Sequence, residues 1–307
     1  MKRLLPLLLS LALLAGCAAP AAAEPTPLWE FTDDEGYAVS VTSLERVAVL
    51  YGSFAEIFLL AGGTVGAVTS DALTERQLDL PEGTLSVGTV KAPDREALLA
   101  YDPTLVICSA DIAAQEPLAE FLRGLGIPTA RMRVDSFADY LRFLRLCCDM
   151  TGRDDLYEQN GAAVERRIGE LLASVPAEGA PTALLLRSYG SGVRVKSDDN
   201  FTGRMLSELG VRDLAKESPS LLEELSLEQL MALDPDYLFV VVMGDEEAGL
   251  RSLWEGVGAN EGFRTLSAVK NDRLVVLPRE LFHYKPNARW AESYEYLIRI
   301  LYPEVLP

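Results

Sequence analysis

Histidine and cysteine are scarce in this chain of 307 residues, which contains one histidine, His283, and four cysteines. A zinc or manganese site built from several imidazoles is therefore excluded, and a histidine-dependent hydrolase would have to rely on His283 alone. Three of the cysteines, Cys108, Cys147 and Cys148, fall on a predicted strand and a predicted helix, where we expect buried, unreactive side chains. Because they do not offer a good thiolate cage for an iron–sulfur cluster, we expect no intrinsic cofactor and no protein-bound metal.

Positive charge is also in short supply. The chain has 28 lysines and arginines against 46 aspartates and glutamates, which gives a net charge of −18. Nucleic acid is excluded as a partner, because affinity for phosphates depends on lysine and arginine. The Gly-x-Ser-x-Gly elbow of serine hydrolases and the glycine-rich loops that bind phosphates are both absent. The sequence favours a globular, non-enzymatic protein, with a surface hydrolase that uses His283 as its base kept as an alternative.

The apolar run at the start of the chain, residues 4–14, is too short to span a bilayer comfortably and follows Lys2 and Arg3. Small residues precede Cys17, a pattern that resembles the cleavage signal of bacterial lipoproteins, in which this cysteine becomes the lipidated first residue. We therefore expect a signal peptide over residues 1–17, an Ala/Pro-rich tether over 18–30, and an extracytoplasmic protein held to the membrane by lipid alone. An ordinary secretory signal with an incidental cysteine is the alternative.

Two parts of the chain resemble each other. Residues 96–107 align without a gap with residues 228–239, and each part combines a short amphipathic helix, an Asp-Pro turn and an apolar strand. A weaker likeness pairs residues 47–50 with residues 183–186 as a buried strand that opens each half. These repeats predict two lobes of one design.

Between the two repeats, residues 136–175 form two consecutive segments with apolar residues at helical spacing. Gly152 separates the two segments, and Pro176 ends the second one. Apolar strands alternate with helices on both sides of this stretch, as in parallel sheets. The predicted fold is α/β, with two Rossmann-like lobes of mainly parallel sheets joined by one long backbone helix. The predicted bounds are 31–151 for the N-terminal lobe, 152–177 for the linker helix and 178–307 for the C-terminal lobe.

The ordered set of motifs from about residue 30 to the C-terminus resembles the substrate-binding lipoproteins of bacterial ABC importers that take up ferric siderophores, haem and cobalamin. The pieces that carry the resemblance are residues 32–36, 46–49, 102–106, 205–210, 225–230, 234–236 and 302–304. The resemblance implies a ligand in the cleft between the lobes, and delivery to a permease dimer that works with a separate ATPase. In this family one glutamate of each lobe docks into the permease, and by position these are Glu96 and Glu228. Both also occupy the first aligned position of the repeat, so a symmetric partner would meet two equivalent charges.

Ligands of such sheets bind at the carboxyl ends of the strands. The loops predicted at that edge combine cations with aromatic rings, which suits a flat or aromatic anion, and the loop 282–285 is the strongest candidate. Asp71, Ser109 and Arg131 lie in the same loops of the first lobe. The predicted ligand-binding residues are Tyr51, Ser53, Lys91, Arg187, Tyr189, Lys196, Asn200, Trp254, Phe282, His283, Tyr284, Lys285 and Arg289.

A ferric siderophore is the favoured ligand. Some haem-binding members of the family carry an iron-ligating tyrosine in the loop after the third strand of the first lobe, and residues 88–91 contain none. His283 and Tyr51 could still ligate iron, so haem and cobalamin remain the alternative ligands.

Overall fold

The computed structural model describes residues 26–306, so Cys17 and most of the predicted tether lie outside the described residues. An antiparallel hairpin comes first, followed by a five-stranded, wholly parallel sheet with the order β5-β4-β3-β8-β9 and a second small hairpin, β6-β7. The strands of this N-terminal lobe are β1 (Trp29–Thr32), β2 (Ala38–Val41), β3 (Val47–Val49), β4 (Ala67–Val68), β5 (Leu85–Ser86), β6 (Gly88–Thr89), β7 (Ala92–Pro93), β8 (Leu105–Ser109) and β9 (Thr129–Met132). Its helices are α1 (Gly52–Leu60), α2 (Asp71–Thr74), α3 (Arg95–Tyr101) and α4 (Glu116–Gly124).

The C-terminal lobe contains a second sheet with the order β11-β10-β13-β14, in which β10 pairs in parallel with β12 and β13 and antiparallel with β11. The strands are β10 (Thr182–Tyr189), β11 (Gly192–Lys196), β12 (Arg212–Asp213), β13 (Tyr237–Val242) and β14 (Leu274–Val276). The helices between the lobes are α5 (Phe137–Thr151), α6 (Asp154–Tyr157) and α7 (Ala163–Ser174), and those of the second lobe are α8 (Phe201–Glu208), α9 (Leu214–Glu217), α10 (Ser220–Glu223), α11 (Leu227–Leu233), α12 (Glu246–Arg251), α13 (Ser267–Lys270), α14 (Arg279–Phe282) and α15 (Trp290–Leu301). The predicted α/β fold with two lobes of mainly parallel sheets is confirmed.

The duplicated segment has the same geometry in both lobes. Helix α3 ends at Asp102 and α11 ends at Asp234, and both aspartates adopt the left-handed conformation, with φ of 53° and 40°. A proline follows each one, and the chain then enters the buried central strands β8 and β13. Glu96 and Glu228 lie exposed in the first turns of these matched helices.

The linker consists of helical segments packed side by side. Gly152, with φ of 70°, ends α5, and the chain is helical again from Asp154 to Ser174, with a π turn over Glu158–Ala162. Within the π turn, the backbone carbonyl of Asn160 accepts a hydrogen bond of 2.8 Å from the Tyr140 hydroxyl. This bond ties α5 to the second linker segment.

The lobes share one apolar core. Its residues come from one face of each sheet and from α1, α5, α7, α8 and α15, while two smaller clusters cover the outer faces of the sheets. The Trp290 ring contacts the rings of Phe137 and Phe201 edge to face, with centroids 5.8 and 5.5 Å apart, and Phe54 contacts Phe143 at 5.2 Å. The linker is therefore part of the core as well as a bridge between the lobes.

The three described cysteines are free thiols. Cys108 lies in β8, and Cys147 and Cys148 lie in α5; all three are fully buried. Burial raises the pKa of the Cys108 thiol to about 12, so it is not a thiolate near neutral pH. Their packing agrees with the predicted role as small apolar side chains.

Candidate functional site

A crevice of about 470 Å³ lies between the two lobes, at the carboxyl ends of the central strands. The first lobe contributes the segments that follow β3 and β4 and the turn between β6 and β7. The second lobe contributes the end of β10, the residues after β13 and the residues after α14. The lining residues are Tyr51, Ser53, Ser70, Asp71, Glu75, Arg76, Thr89, Val90, Lys91, Tyr189, Met243, Gly244, His283 and Tyr284.

Six of the thirteen predicted ligand-binding residues line this crevice. They occupy both walls, and they include the chain's one histidine and three phenols. The six are Tyr51, Ser53, Lys91, Tyr189, His283 and Tyr284.

Three of the other predicted residues do not line the crevice. Phe282 is buried and packs against Tyr296, with ring centroids 5.7 Å apart. Asn200 is the N-cap of α8, where its side chain accepts a hydrogen bond from the Gly203 N–H. Trp254 lies in the π turn Ser252–Val257 and does not line the crevice.

Two predicted cations form short-range surface ion pairs outside the crevice. Lys196 binds Asp199 three residues later at 2.8 Å, and Arg289 binds Glu292 at 2.8 Å. Lys196 is the last residue of β11 and Arg289 lies in a 3-10 turn, and each charge is neutralised locally.

Arg187 and Lys285 do not line the crevice either. The Lys285 ammonium group is largely buried and lies 3.5 Å from Asp135 and 5.6 Å from the ring centroid of Phe201. Arg187 lies within β10 and is half-buried, and its Nε atom has no hydrogen-bond partner among the described residues. Its charge contributes to lowering the pKa of His283.

The additional residues of the first-lobe loops divide in the same way. Asp71 lines the crevice, whereas Ser109 and Arg131 are buried, and Arg131 pairs with Glu35 at 2.6 Å. The Asp71 carboxylate accepts hydrogen bonds of 2.6 Å from the Gly52 N–H and from the Thr69 hydroxyl. Burial raises its pKa above the ordinary value.

Sequence reasoning missed Arg76, whose guanidinium group lies at the base of the crevice. It forms an ion pair with Glu56 and donates a hydrogen bond of 2.9 Å to the Lys285 carbonyl in the second lobe. The Asn287 amide donates to the Ser53 carbonyl at 2.9 Å and to the Glu56 carboxylate at 2.5 Å. We call Glu56, Arg76, Lys285 and Asn287 the lobe bracket, because they join the lobes beneath the crevice. The only signal in the sequence was that Arg76 follows β4 in a loop already assigned to this edge.

The electrostatics of the crevice depend on burial. Burial, together with the charges of Arg279 and Arg187, lowers the pKa of His283 from near 6.5 to about 4. The imidazole is therefore neutral near pH 7 and stacks on the Tyr284 ring at 4.8 Å. Burial also raises the pKa of Tyr51 and of Tyr284, so both phenols are protonated hydrogen-bond donors.

Arg279 positions the wall of the crevice in the second lobe. Its guanidinium group donates to the Gly244 carbonyl at 2.7 Å and to the Tyr284 hydroxyl at 3.3 Å. The crevice can therefore offer aromatic surface, hydroxyl groups and a neutral imidazole to a ligand that enters between the lobes.

Comparison with known proteins assigns the chain to a family. The family model described as "Periplasmic binding protein" matches residues 47–281. The chain belongs to this family. The resemblance inferred from the sequence motifs is confirmed, and so is the prediction that the protein is not an enzyme, because the members are substrate-binding components that deliver ligands to ABC permeases. The hydrolase alternative is therefore wrong.

Individual relatives are similar to this chain over most of their own length. The Fe(3+)-citrate-binding protein YfmC of Bacillus subtilis is 24% identical over 260 residues, which are 81% of this chain and 78% of that protein. Staphylococcus aureus SirA, solved in complex with staphyloferrin B, has a TM-score of 0.69 at 16% identity over 89% of this chain and 98% of that one. The haem-binding protein RhuT from Roseiflexus sp. RS-1 has the same TM-score at 23% identity, over 85% and 99% of the two chains.

Between residues 26 and 306, none of the helices combines the length and the apolar character needed to cross a membrane. Within the same residues, His, Cys, Asp and Glu side chains do not assemble in groups of three or more that could hold a metal ion.

Proposed function

We propose that this protein captures a ferric siderophore in the crevice between its lobes and delivers it to the permease dimer of an ABC importer. The observation that carries this proposal is the crevice itself, which brings Tyr51, Tyr189, Tyr284 and His283 together from both lobes. Rings and hydroxyl groups match the apolar body and the oxygen atoms of a metal chelate. Relatives that are named or solved as iron-chelate binders support the choice of cargo.

Isothermal titration calorimetry of the purified chain tests the proposal with a ferric hydroxamate, a ferric catecholate, haem and cobalamin. We expect at least one iron chelate to bind with sub-micromolar affinity. Replacing Tyr189 and Tyr284 together by alanine should weaken binding at least tenfold, because two rings leave the wall. The matched control is Tyr37→Ala, which removes an exposed ring of the first hairpin and should leave affinity unchanged. An absence of binding to both ferric siderophores would overturn the proposal.

Haem is a second candidate because of one specific feature. His283 is neutral near pH 7 and belongs to the lining of the crevice, and a neutral imidazole is a good ligand for iron. Haem binding would shift the Soret band, and His283→Ala should abolish that shift while leaving siderophore binding within about threefold. No shift in the parent protein would remove this candidate.

Glu96 and Glu228 are proposed as the permease contacts. They are exposed at matched positions of the two lobes, and among the described residues neither forms an ion pair. Replacing both by lysine should abolish transport by the reconstituted importer while ligand affinity stays unchanged. The control is Glu165→Lys, which reverses one exposed charge on α7 and should preserve transport. Full transport by the double variant would refute the contact.

Anchoring through Cys17 is the remaining part of the proposal. Cells that express the chain and are fed a labelled fatty acid should incorporate the label, and Cys17→Ser should prevent it. The protein should then be released from the membrane, because acyl chains would be the whole of its attachment.

A further inference from the structure

The side chains that line the crevice carry balanced charges. Asp71 and Glu75 contribute two carboxylates, and Arg76 and Lys91 contribute two cations, while His283 is neutral near pH 7. The sequence predicted an edge rich in cations, which would favour an anionic ligand. The lining itself has no formal excess of either sign.

The two lining cations differ in their freedom to bind a ligand. Arg76 is nearly buried, is paired with Glu56 and donates to the Lys285 carbonyl, so its charge is already compensated. Lys91 lies in the exposed turn between β6 and β7 and has no ion pair within the described residues. The exposed ammonium group of Lys91 is therefore the lining cation that is available to a ligand.

Two arginines of the second lobe, Arg187 and Arg279, act on the crevice from outside its lining, since the charges of both lower the pKa of His283. Arg279 is committed to the Gly244 carbonyl and the Tyr284 hydroxyl, and Arg187 is not among the lining residues. Asp71 acts in the opposite direction, because it is only 7% exposed and faces the crevice from the first lobe. Burying a multiply charged anion against such a wall would leave most of its charge unpaired, which is costly.

We infer that the crevice is built for a chelate of low net charge, of the tris-hydroxamate type, rather than for a multiply anionic one. This inference rests on the proposed function and specifies its substrate class. Three hydroxamate groups, each with one negative charge, neutralise a ferric ion. Three catecholate groups, each with two, leave a triply negative complex. Hydrogen-bond donors on the ligand could in addition bind Asp71 or Glu75, which have acceptor capacity to spare.

The experiment compares two ferric complexes that differ in charge. Ferrichrome, a neutral tris-hydroxamate, and ferric enterobactin, a triply negative tris-catecholate, are titrated into the purified full-length chain at low and high ionic strength. We expect ferrichrome to bind at least 100-fold more tightly than ferric enterobactin, with an affinity that changes less than twofold with salt. Tighter binding of ferric enterobactin would overturn the inference and leave the proposed function intact, whereas binding of neither complex would overturn both.

Two variants test the role of the carboxylates. Asp71→Asn and Glu75→Gln each remove one negative charge at nearly constant volume, and each should improve the affinity for ferric enterobactin about tenfold. Glu75 is exposed, so its variant stays informative if Asp71→Asn fails to fold because the amide has one accepting oxygen for the Gly52 N–H and the Thr69 hydroxyl, where the carboxylate has two. The control Glu165→Gln removes the same charge from α7 and should change neither affinity. Equal effects of Glu75→Gln and Glu165→Gln would contradict the assignment.

Discussion

Lowering the pH below 6.5 should remove a stabilising contribution of one side chain, His283. His283 is the only histidine of the chain, so no other imidazole titrates in this range. Burial, assisted by the charges of Arg279 and Arg187, lowers its pKa in the folded protein to about 4, whereas the unfolded chain should have the ordinary value near 6.5. Between these two values the unfolded chain binds a proton that the folded protein does not.

The magnitude follows from the linkage between proton binding and folding. The stabilisation is fully present above pH 6.5 and is lost as the pH falls towards 4, because protons then favour the unfolded state. The difference of about 2.5 pH units corresponds to about 3 kcal/mol in the limit, and to about 2 kcal/mol between pH 7.5 and pH 5. A loss of this size is a substantial fraction of the stability of a typical domain.

Two measurements check this prediction. Urea unfolding at a series of pH values gives the free energy of unfolding of the parent protein and of His283→Gln, and the difference between the two pH profiles removes the contribution of the many carboxylates. The NMR signal of the single imidazole gives its pKa directly. Parallel pH profiles in the two proteins, or an imidazole that titrates above pH 6, would refute the reasoning.

Three further predictions concern the packing that supports the crevice. Tyr140→Phe should lower the free energy of unfolding by about 1 kcal/mol, measured by urea denaturation, because the carbonyl of the π turn loses its buried donor. In a double-mutant cycle with Arg76→Met and Glu56→Gln, the coupling energy should be about 1–3 kcal/mol, since the two side chains form one partly buried pair; a value below about 0.5 kcal/mol would contradict the lobe bracket. Gly203→Ala should prevent folding or lower the melting temperature by more than 10 °C, because the added carbon would lie 1.8 Å from a backbone carbonyl oxygen, whereas Gly169→Ala on the exposed face of α7 meets no atom within 4 Å and should be neutral or stabilising.

The fold could be predicted from the sequence because its signals are local and repeated. The Asp-Pro turns after α3 and α11, and Gly152 at the end of α5, mark element ends through backbone constraints that do not depend on the rest of the molecule. The π turn in the linker was not predicted, because the apolar spacing of residues 154–174 is that of an ordinary helix and does not mark one wider turn.

The site was predictable only in part, for a different reason. The loops at the carboxyl ends of the strands follow from topology, and Tyr51, Tyr189 and Tyr284, which were predicted from these loops, line the crevice. The direction of a side chain depends on packing, which the sequence does not show. The Phe282 side chain is buried in the core, although its neighbour His283 lines the crevice. Arg76 could not be ranked above other loop cations, because its importance comes from contacts with the other lobe.

The apolar core that both sheets and the linker share has a consequence for how the chain behaves as a whole. Neither half has a complete apolar core of its own, since rings such as those of Phe137 and Trp290 pack against each other from segments about 150 residues apart. A chain cut between the halves would expose apolar surface and would aggregate rather than yield two small soluble domains. Heating should therefore unfold the intact protein in a single cooperative step. The two halves that the sequence repeat suggests as separate units should not fold independently of each other.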